Sequence, residues 1–220
     1  LVDSTRILER LGDQRAFEVF RRHDRIARDL LSAHQGLEID KTDGFLLLFA
    51  RPVDAIRYAI GYHRALAELS EEIGIALEAR AGIHLGEVWV RENSPEDVAR
   101  GAKPLEVEGL AKPMAARLMS LAQGRQTLLT RGAYDLARRA AVDVADDDGA
   151  LAWRNHGPYF FKGVADPVDV FEVGVEGLSP LTPPPDTAKV RHMIDVRGRR
   201  MRATRSEEHT SELQSPSAIS

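Results

Sequence analysis

The residues best suited to chemistry lie in one short polar turn, where an Asp-Lys-Thr-Asp run at 40–43 separates two apolar stretches. The second stretch, residues 45–49, is too short to span a membrane and predicts a buried strand. The Asp43-Gly44 pair is typical of a tight hairpin, because glycine tolerates the positive φ that such turns require. The turn would hold a carboxylate and an ammonium group at a sheet end, where a metal and phosphate site can be built.

Composition limits the possible functions. The chain has 220 residues, 43% hydrophobic and 29% charged, which is ordinary for a soluble globular domain. Its net charge of −4 argues against a general nucleic-acid binder, so we expect no nucleic-acid partner. No apolar run reaches transmembrane length and no signal peptide is visible. The absence of cysteine excludes disulfides and cysteine-ligated zinc, and we expect a cytoplasmic protein.

Helical and strand-like patterns alternate along the chain. Helical periodicity covers roughly residues 5–34 with a break at 12–13, then 52–69, 109–122 and 133–141. Strand-like patterns cover both sides of the polar turn, a pair within 76–90, then 126–130, 153–161 and 168–173. Residues 93–104 predict a loop and 146–149 a turn. This order predicts an α/β or α+β fold with a single mixed sheet flanked by helices.

The two ends of the chain differ from the rest. We expect a domain over residues 1–175 and a proline-rich linker over 176–204, followed in the intact protein by a regulatory module. Residues 205–220 are interpreted as an artefact, because their sequence resembles the translation of a common sequencing adapter. The chain begins with Leu1 instead of methionine, so we also expect an upstream segment.

Five segments follow one another in the order of a known signature. They are Leu1–Arg6 (compare D-[IL]-x-x-S-T), Asp43–Phe45 (the end of K-T-x-G-D-G-F), Gly82–Val88 (G-I-H-x-G-E-V), Gly109–Leu118 (G-x-x-V-N-x-A-A-R-L) and Phe161–Val168 (L-K-G-x-x-x-P-V). Together they resemble the class III adenylate/guanylate cyclase catalytic domain. The resemblance implies a ferredoxin-like cyclase fold of class α+β, here with its first strand truncated, and homodimers with active sites at the interface. It also implies two Mg²⁺ or Mn²⁺ ions and conversion of ATP, in preference to GTP, to the 3′,5′-cyclic nucleotide and pyrophosphate.

The resemblance assigns roles to individual residues. Asp43 takes the position of the second metal-binding aspartate, and the first is expected just before Leu1. An ungapped count places the base-reading lysine at Ile39, whereas a two-residue deletion in the turn places it at Lys41. Glu106 takes the position of the second base-reading residue. Each of these side chains also has a purely structural interpretation as a turn or surface residue.

The helical segment Gly109–Leu118 departs from the cyclase signature at one position. Arg117 stands where the phosphate-stabilising arginine is expected, and Lys162 where a triphosphate-binding lysine is expected. Pro113 replaces the transition-state asparagine and has no side-chain donor. An active cyclase and a weak or inactive pseudo-cyclase that dimerises or senses nucleotide therefore both remain open, as does a domain without nucleotide affinity. His84 is interpreted as a packed core histidine.

Overall fold

A computed structural model describes residues 1–42, 44–141, 150–193, 195–196 and 199–200. Asp43, the turn predicted at 146–149 and the segment 205–220 lie outside the described residues. The helices are α1 Ser4–Leu11, α2 Asp13–Ala33, α3 Pro52–Ile73, α4 Pro95–Ala99, α5 Ala111–Leu121 and α6 Arg131–Ala140. The strands are β1 Leu37–Lys41, β2 Phe45–Leu48, β3 Ala81–Ile83, β4 Trp89–Glu92, β5 Leu105–Glu108, β6 Thr127–Thr130, β7 Leu151–Phe161, β8 Val168–Val175, β9 Val190–His192, β10 Asp195–Val196 and β11 Arg199–Arg200. Within the described ranges, no helix is long and apolar enough to cross a membrane.

Within the described residues the strands form four separate sheets, so the expectation of a single sheet is wrong for this part of the chain. The largest has the strand order β3-β6-β8-β7-β9 and is mixed, because β3 and β6 are parallel while the remaining neighbours are antiparallel. The hairpins β1–β2, β4–β5 and β10–β11 are two-stranded sheets of their own. The predicted α+β class with a mixed sheet is confirmed.

Strand partners differ from those expected in the region after α3. The sequence predicts that two strands within 76–90 pair with each other. Instead β3 pairs with β6, and β4 pairs with β5 at Leu105–Glu108, a strand that the sequence analysis does not predict. A short helix, α4, begins inside the predicted loop, where the Ser94 hydroxyl caps it by accepting a hydrogen bond from the Asp97 N–H. Alternating hydrophobicity marks an extended segment but carries no information about its partner.

Both faces of the large sheet are covered by helices. On one face, α3 and α6 bury Ile56, Ile60 and Ala137 against Phe171 and Val173 of β8. On the other face, α5 packs against the intervening side chains of β6, β7, β8 and β9. The β1–β2 hairpin instead packs on the cluster formed by α1, α2 and α3.

Helix α5 lies directly against β3. A Cβ atom added to Gly82 of β3 would lie 2.6 Å from the carbonyl oxygen of Ala115 in α5, well inside van der Waals contact. Only glycine permits this approach. The close packing fixes the height of α5 above the sheet and so positions Arg117, which lies two residues further along the helix.

Residues 176–193, predicted as a linker, are part of the packed structure. Strand β9 pairs with β7 at the edge of the large sheet, so the domain extends beyond the boundary predicted at residue 175. The fully buried carboxylate of Glu172 accepts hydrogen bonds from Gln126 Nε2 at 2.7 Å and from the Leu181 N–H at 2.9 Å. His156 Nε2 lies 2.7 Å from the same carboxylate. A segment rich in proline is held here because its backbone groups find buried partners.

Candidate active site

The predicted catalytic turn is carried by the β1–β2 hairpin. Lys41 lies opposite Phe45 and Asp40 opposite Leu46, with a bulge between Glu38 and Asp40. Because successive side chains of a strand point to opposite faces, Asp40 and Lys41 leave the hairpin on different sides. Asp43, the predicted metal ligand at the tip, lies outside the described residues.

Lys41 faces helix α2. Its ammonium group donates a hydrogen bond to Asp24 and lies 5.6 Å from the centroid of the Phe45 ring. The Lys41 side chain is 35% exposed and that of Asp24 is 21% exposed, so the pair is partly withdrawn from water. Burial alone would raise the pKa of Asp24, but hydrogen bonds from Lys41 and His23 outweigh it and hold the pKa below its usual value.

The Asp24–Lys41 pair continues into the core. His23 Nδ1 lies 3.0 Å from Asp24 Oδ1, and His23 Nε2 contacts the hydroxyl of Tyr62 on α3. Burial lowers the pKa of His23, with smaller opposing effects from Asp24. Tyr62, His23, Asp24 and Lys41 therefore form one hydrogen-bonded chain from α3 to the end of β1. No local sequence signal indicates this series of hydrogen bonds.

Asp40 faces the β4–β5 hairpin. Its carboxylate pairs with Lys103 Nζ at 2.5 Å, and the hydrogen bond from this lysine is the main reason that the pKa of Asp40 lies below its usual value. Lys112, in the first turn of α5, adds a weaker favourable charge. Lys103 thus links the end of β1 to the loop before β5, a contact that no local sequence signal indicates.

Glu106 of β5 already has partners. Its carboxylate accepts hydrogen bonds from Asn93 Nδ2 at 3.1 Å and from Arg91 across the β4–β5 pair. These two bonds lower the pKa of Glu106, which lies at the protein surface. An ionised Glu106 can accept further hydrogen bonds through its remaining lone pairs. A nucleobase would share it with Arg91 and Asn93.

Arg117 and Lys162 are brought to the same corner of the domain. The Nη2 atom of Arg117, on α5, lies 3.5 Å from the position that a Cβ atom would take on Gly163. Gly163 follows Lys162 directly and has a φ of 80°, a conformation that glycine adopts without strain. Lys162 itself is exposed at the end of β7. Neither side chain forms an ion pair with any carboxylate in the described ranges.

Pro113 is the third residue of α5 and precedes Arg117 by one helical turn, so the two residues share a helix face. Proline is tolerated here because the first-turn N–H groups of a helix have no intrahelical partner. The helix therefore forms normally, and the position expected to carry an asparagine presents an exposed pyrrolidine ring.

The part of the chain that the structure describes has no group of three His, Asp or Glu side chains that could hold a metal ion. Asp40, a carboxylate near the turn, is paired with Lys103. His84, expected to pack in the core, is only half-buried; its Nδ1 lies 2.9 Å from Thr130 Oγ1, and burial lowers its pKa. The described side chains alone therefore do not provide a set of ligands for a divalent ion. The predicted metal site depends on Asp43, which lies outside the described residues.

Comparisons with known proteins place this architecture. No protein-family model matches the sequence, and none of the curated proteins compared with it matches either. Solved structures do match. An adenylate cyclase from Trypanosoma brucei, described in its monomeric state, has 21% sequence identity and a TM-score of 0.64, and the match covers 86% of this chain and 90% of that one.

Two further structures share the architecture. The adenylyl cyclase CyaB from P. aeruginosa has 16% identity and a TM-score of 0.64, over 78% of this chain and 88% of that one. The guanylate cyclase domain of RhGC from Catenaria anguillulae, solved in complex with GTP, has 11% identity and a TM-score of 0.60, over 78% and 90%. The fold expected from the sequence resemblance is confirmed: this chain has the fold of class III adenylate/guanylate cyclase catalytic domains.

Proposed function

We propose that this chain is a purine nucleotide cyclase domain that converts ATP, in preference to GTP, to the 3′,5′-cyclic nucleotide. The observation that carries the proposal is the approach of Arg117 to the Lys162-Gly163 turn within a cyclase fold. In the reaction, the ribose 3′-hydroxyl loses its proton to water as its oxygen forms a bond to the α-phosphorus, and the bond from the α-phosphorus to the α,β-bridging oxygen breaks, which releases pyrophosphate.

Arg117 and Lys162 supply positive charge where negative charge develops. Arg117 donates hydrogen bonds to the α-phosphate oxygens in the transition state, and Lys162 binds the outer phosphates. Neither cation has to leave a carboxylate in the described ranges to do so. Divalent ions would add charge neutralisation at the phosphates, and Asp43 is the residue of this chain that would hold them.

A homodimer is part of the proposal. Trp89, the first residue of β4, is 81% exposed, and Leu110, two residues after the end of β5, is 88% exposed. Large apolar side chains exposed together are typical of interaction surfaces. A second copy covering this surface would bring two sites to one interface, as expected from the resemblance.

The test is a cyclase assay on the purified full-length protein with ATP or GTP and Mn²⁺ or Mg²⁺. Arg117→Ala is expected to lower turnover by about two to three orders of magnitude, as for the loss of one transition-state donor. Arg10→Ala, an exposed arginine of α1, is the matched control and should not change it. If no cyclic nucleotide forms with either substrate and either ion, the domain is not a cyclase.

Two observations favour a second candidate, a nucleotide-binding pseudo-cyclase. Pro113 offers no donor one turn from Arg117, and Lys41 is held by Asp24 instead of projecting freely from the hairpin. Such a domain would bind ATP or GTP and regulate an attached module without turnover. Saturable nucleotide binding in a calorimeter, together with no cyclic product, would identify it, whereas steady product formation would exclude it.

A further inference from the structure

The edge strand β9 places a second lysine opposite Lys162. In the β7–β9 pair, Tyr159 lies opposite His192, Phe160 opposite Arg191 and Phe161 opposite Val190. The next step of this register sets Lys162 opposite Lys189, and the Lys162 N–H donates to the Lys189 carbonyl oxygen at 2.8 Å. Residues directly opposite each other in an antiparallel pair present their side chains on the same face, with Cα atoms about 5.5 Å apart.

This arrangement brings like charges together. Both lysines are exposed, and neither forms an ion pair with a described carboxylate. Arg191, two residues after Lys189, lies on the same face because side chains alternate along a strand. Like charges directly opposite each other across a strand pair destabilise it. A chain with a net charge of −4 thus concentrates, at one sheet edge, cations that have no carboxylate partner among the described residues.

Arg117 approaches the same turn from helix α5. Its Nη2 atom lies beside Gly163, the residue after Lys162. Arg117 therefore reaches the turn on the α5 side, where Phe161 and Val190 also pack, whereas three cations lie on the opposite face of the sheet: Lys162, Lys189 and Arg191. A compact anion with charge spread over several phosphate oxygens would relieve the repulsion between them.

We propose that Lys189 is a further polyphosphate-binding residue, which acts with Lys162 on the outer phosphates of a nucleoside triphosphate. The inference rests on the proposed function and adds to it a residue from the segment predicted as a linker. Strand β9 would then serve the site as well as the sheet, because its pairing with β7 sets the position of Lys189.

The first experiment measures binding of inorganic tripolyphosphate and of ATP to the full-length protein by calorimetry at low salt. Lys189→Met is expected to weaken both by about three- to tenfold, as for the loss of one partly exposed charge contact. Lys162→Met should have a similar effect. Arg10→Met removes a positive charge on α1 and should leave both affinities unchanged.

A second measurement reports on the repulsion itself. Lys189→Glu replaces a repelling pair by an attracting one, so its melting temperature without anion should rise above that of the wild type. Tripolyphosphate should raise the melting temperature of the wild type, as any ligand of the folded state does, and raise that of Lys189→Glu much less.

The outcomes separate the two proposals. If ATP binds and Lys189→Met binds ATP and tripolyphosphate as tightly as the wild type, the inference about Lys189 is wrong while the proposed function stands. If Lys189→Met weakens tripolyphosphate binding and no cyclic nucleotide forms, Lys189 is a polyphosphate-binding residue of a domain that is not a cyclase. If tripolyphosphate does not bind to the wild type at all, the lysine pair Lys162 and Lys189 is not an anion-binding site and the inference fails.

Discussion

Lys41 donates a hydrogen bond to Asp24, so the ammonium group predicted to contact a nucleobase is held by a carboxylate of helix α2. The neighbouring Asp40 points to the other side of the hairpin and pairs with Lys103. The two sides of the turn are therefore fixed by different parts of the domain. For Lys41 to reach a nucleobase, it would have to exchange Asp24 for that base.

Lys41→Met is expected to lower the free energy of unfolding by about 1 kcal/mol, a modest cost because both side chains are partly exposed. It should also raise the pKa of Asp24, since the lysine helps to hold that pKa down. A lowered carboxylate pKa stabilises the fold above the unfolded-state pKa, and this contribution is lost as the pH falls. Chemical denaturation and NMR titration of the Asp24 carboxyl carbon would measure both effects.

The matched control is Lys112→Met, which removes an exposed lysine that acts on Asp40 only through its charge. Its unfolding free energy should stay within about 0.5 kcal/mol of the wild type. An unchanged Asp24 pKa in Lys41→Met would show that the pair does not form in solution.

His63 is expected to make the fold sensitive to acid. It is 1% exposed, its Nδ1 has no hydrogen-bond partner within the described part of the chain, and burial lowers its pKa from 6.5 to about 4. Between these values the unfolded state binds the proton and the folded state does not, so stability is complete above pH 6.5 and falls as the pH drops. The loss should reach about 3 kcal/mol near pH 4.

Denaturant unfolding at several pH values between 4 and 7 would measure this slope. His63→Gln should remove most of it. Thr127→Val deletes the hydroxyl that lies 3.0 Å from His63 Nε2 but leaves the imidazole buried, so its slope should persist. A slope that is the same in His63→Gln and in the wild type would assign the acid sensitivity to other groups.

Glu172→Ala is expected to destabilise the domain by roughly 3–5 kcal/mol, because it leaves buried donors without an acceptor. The Gln126 side chain would keep only the Thr182 carbonyl as an acceptor, and the Leu181 N–H would have none in its present position. Equilibrium unfolding in urea would give the value. Glu176→Ala, whose side chain is 82% exposed, should change stability by less than about 0.5 kcal/mol. Similar values for the two variants would contradict a stabilising role for the buried cluster.

Gly82→Ala is expected to force α5 away from β3 and to displace Arg117 with it. The added methyl group would overlap the backbone of α5, which cannot move as a side chain can, so we expect a loss of about 2 kcal/mol or more. Gly132→Ala is the control, because its added Cβ would contact only Leu85, at 3.6 Å. Alanine also has a higher helix propensity than glycine, which favours helix α6. Urea denaturation compares the two, and a Gly82→Ala protein as stable as the wild type would show that α5 is not held this closely.

Sequence patterns predicted the long elements well and their partners poorly. Helices α2 and α3 have sustained amphipathic periodicity, and the strands on both sides of the polar turn have strong local signals. Strand β5 is only four residues long and follows a proline, so its pattern could not be distinguished from a loop. The partner of β3 lies more than 40 residues away, and no local signal identifies it.

The same limit applies to the site. The order of the signature motifs predicts that Arg117 and Lys162 belong to one phosphate-binding site. The structure places Arg117 beside the turn that contains Lys162. The partner of the Lys41 side chain depends on how the hairpin packs against α2, and local sequence does not determine this tertiary contact. Asp24 and Lys103 carry no motif, so only the structure reveals them as partners of the turn. The roles of Asp43, Glu106 and the other assigned residues remain predictions.

The pairing of β9 with β7 has a consequence for synthesis on the ribosome. Strand β7 keeps an unpaired edge until residues 190–192 have left the exit tunnel, whereas the Leu181 donor for the Glu172 carboxylate emerges earlier. An exposed strand edge is a template for pairing with another chain. The nascent domain would therefore be most prone to aggregate late in its translation, when most helices have formed but the sheet is still open on one side.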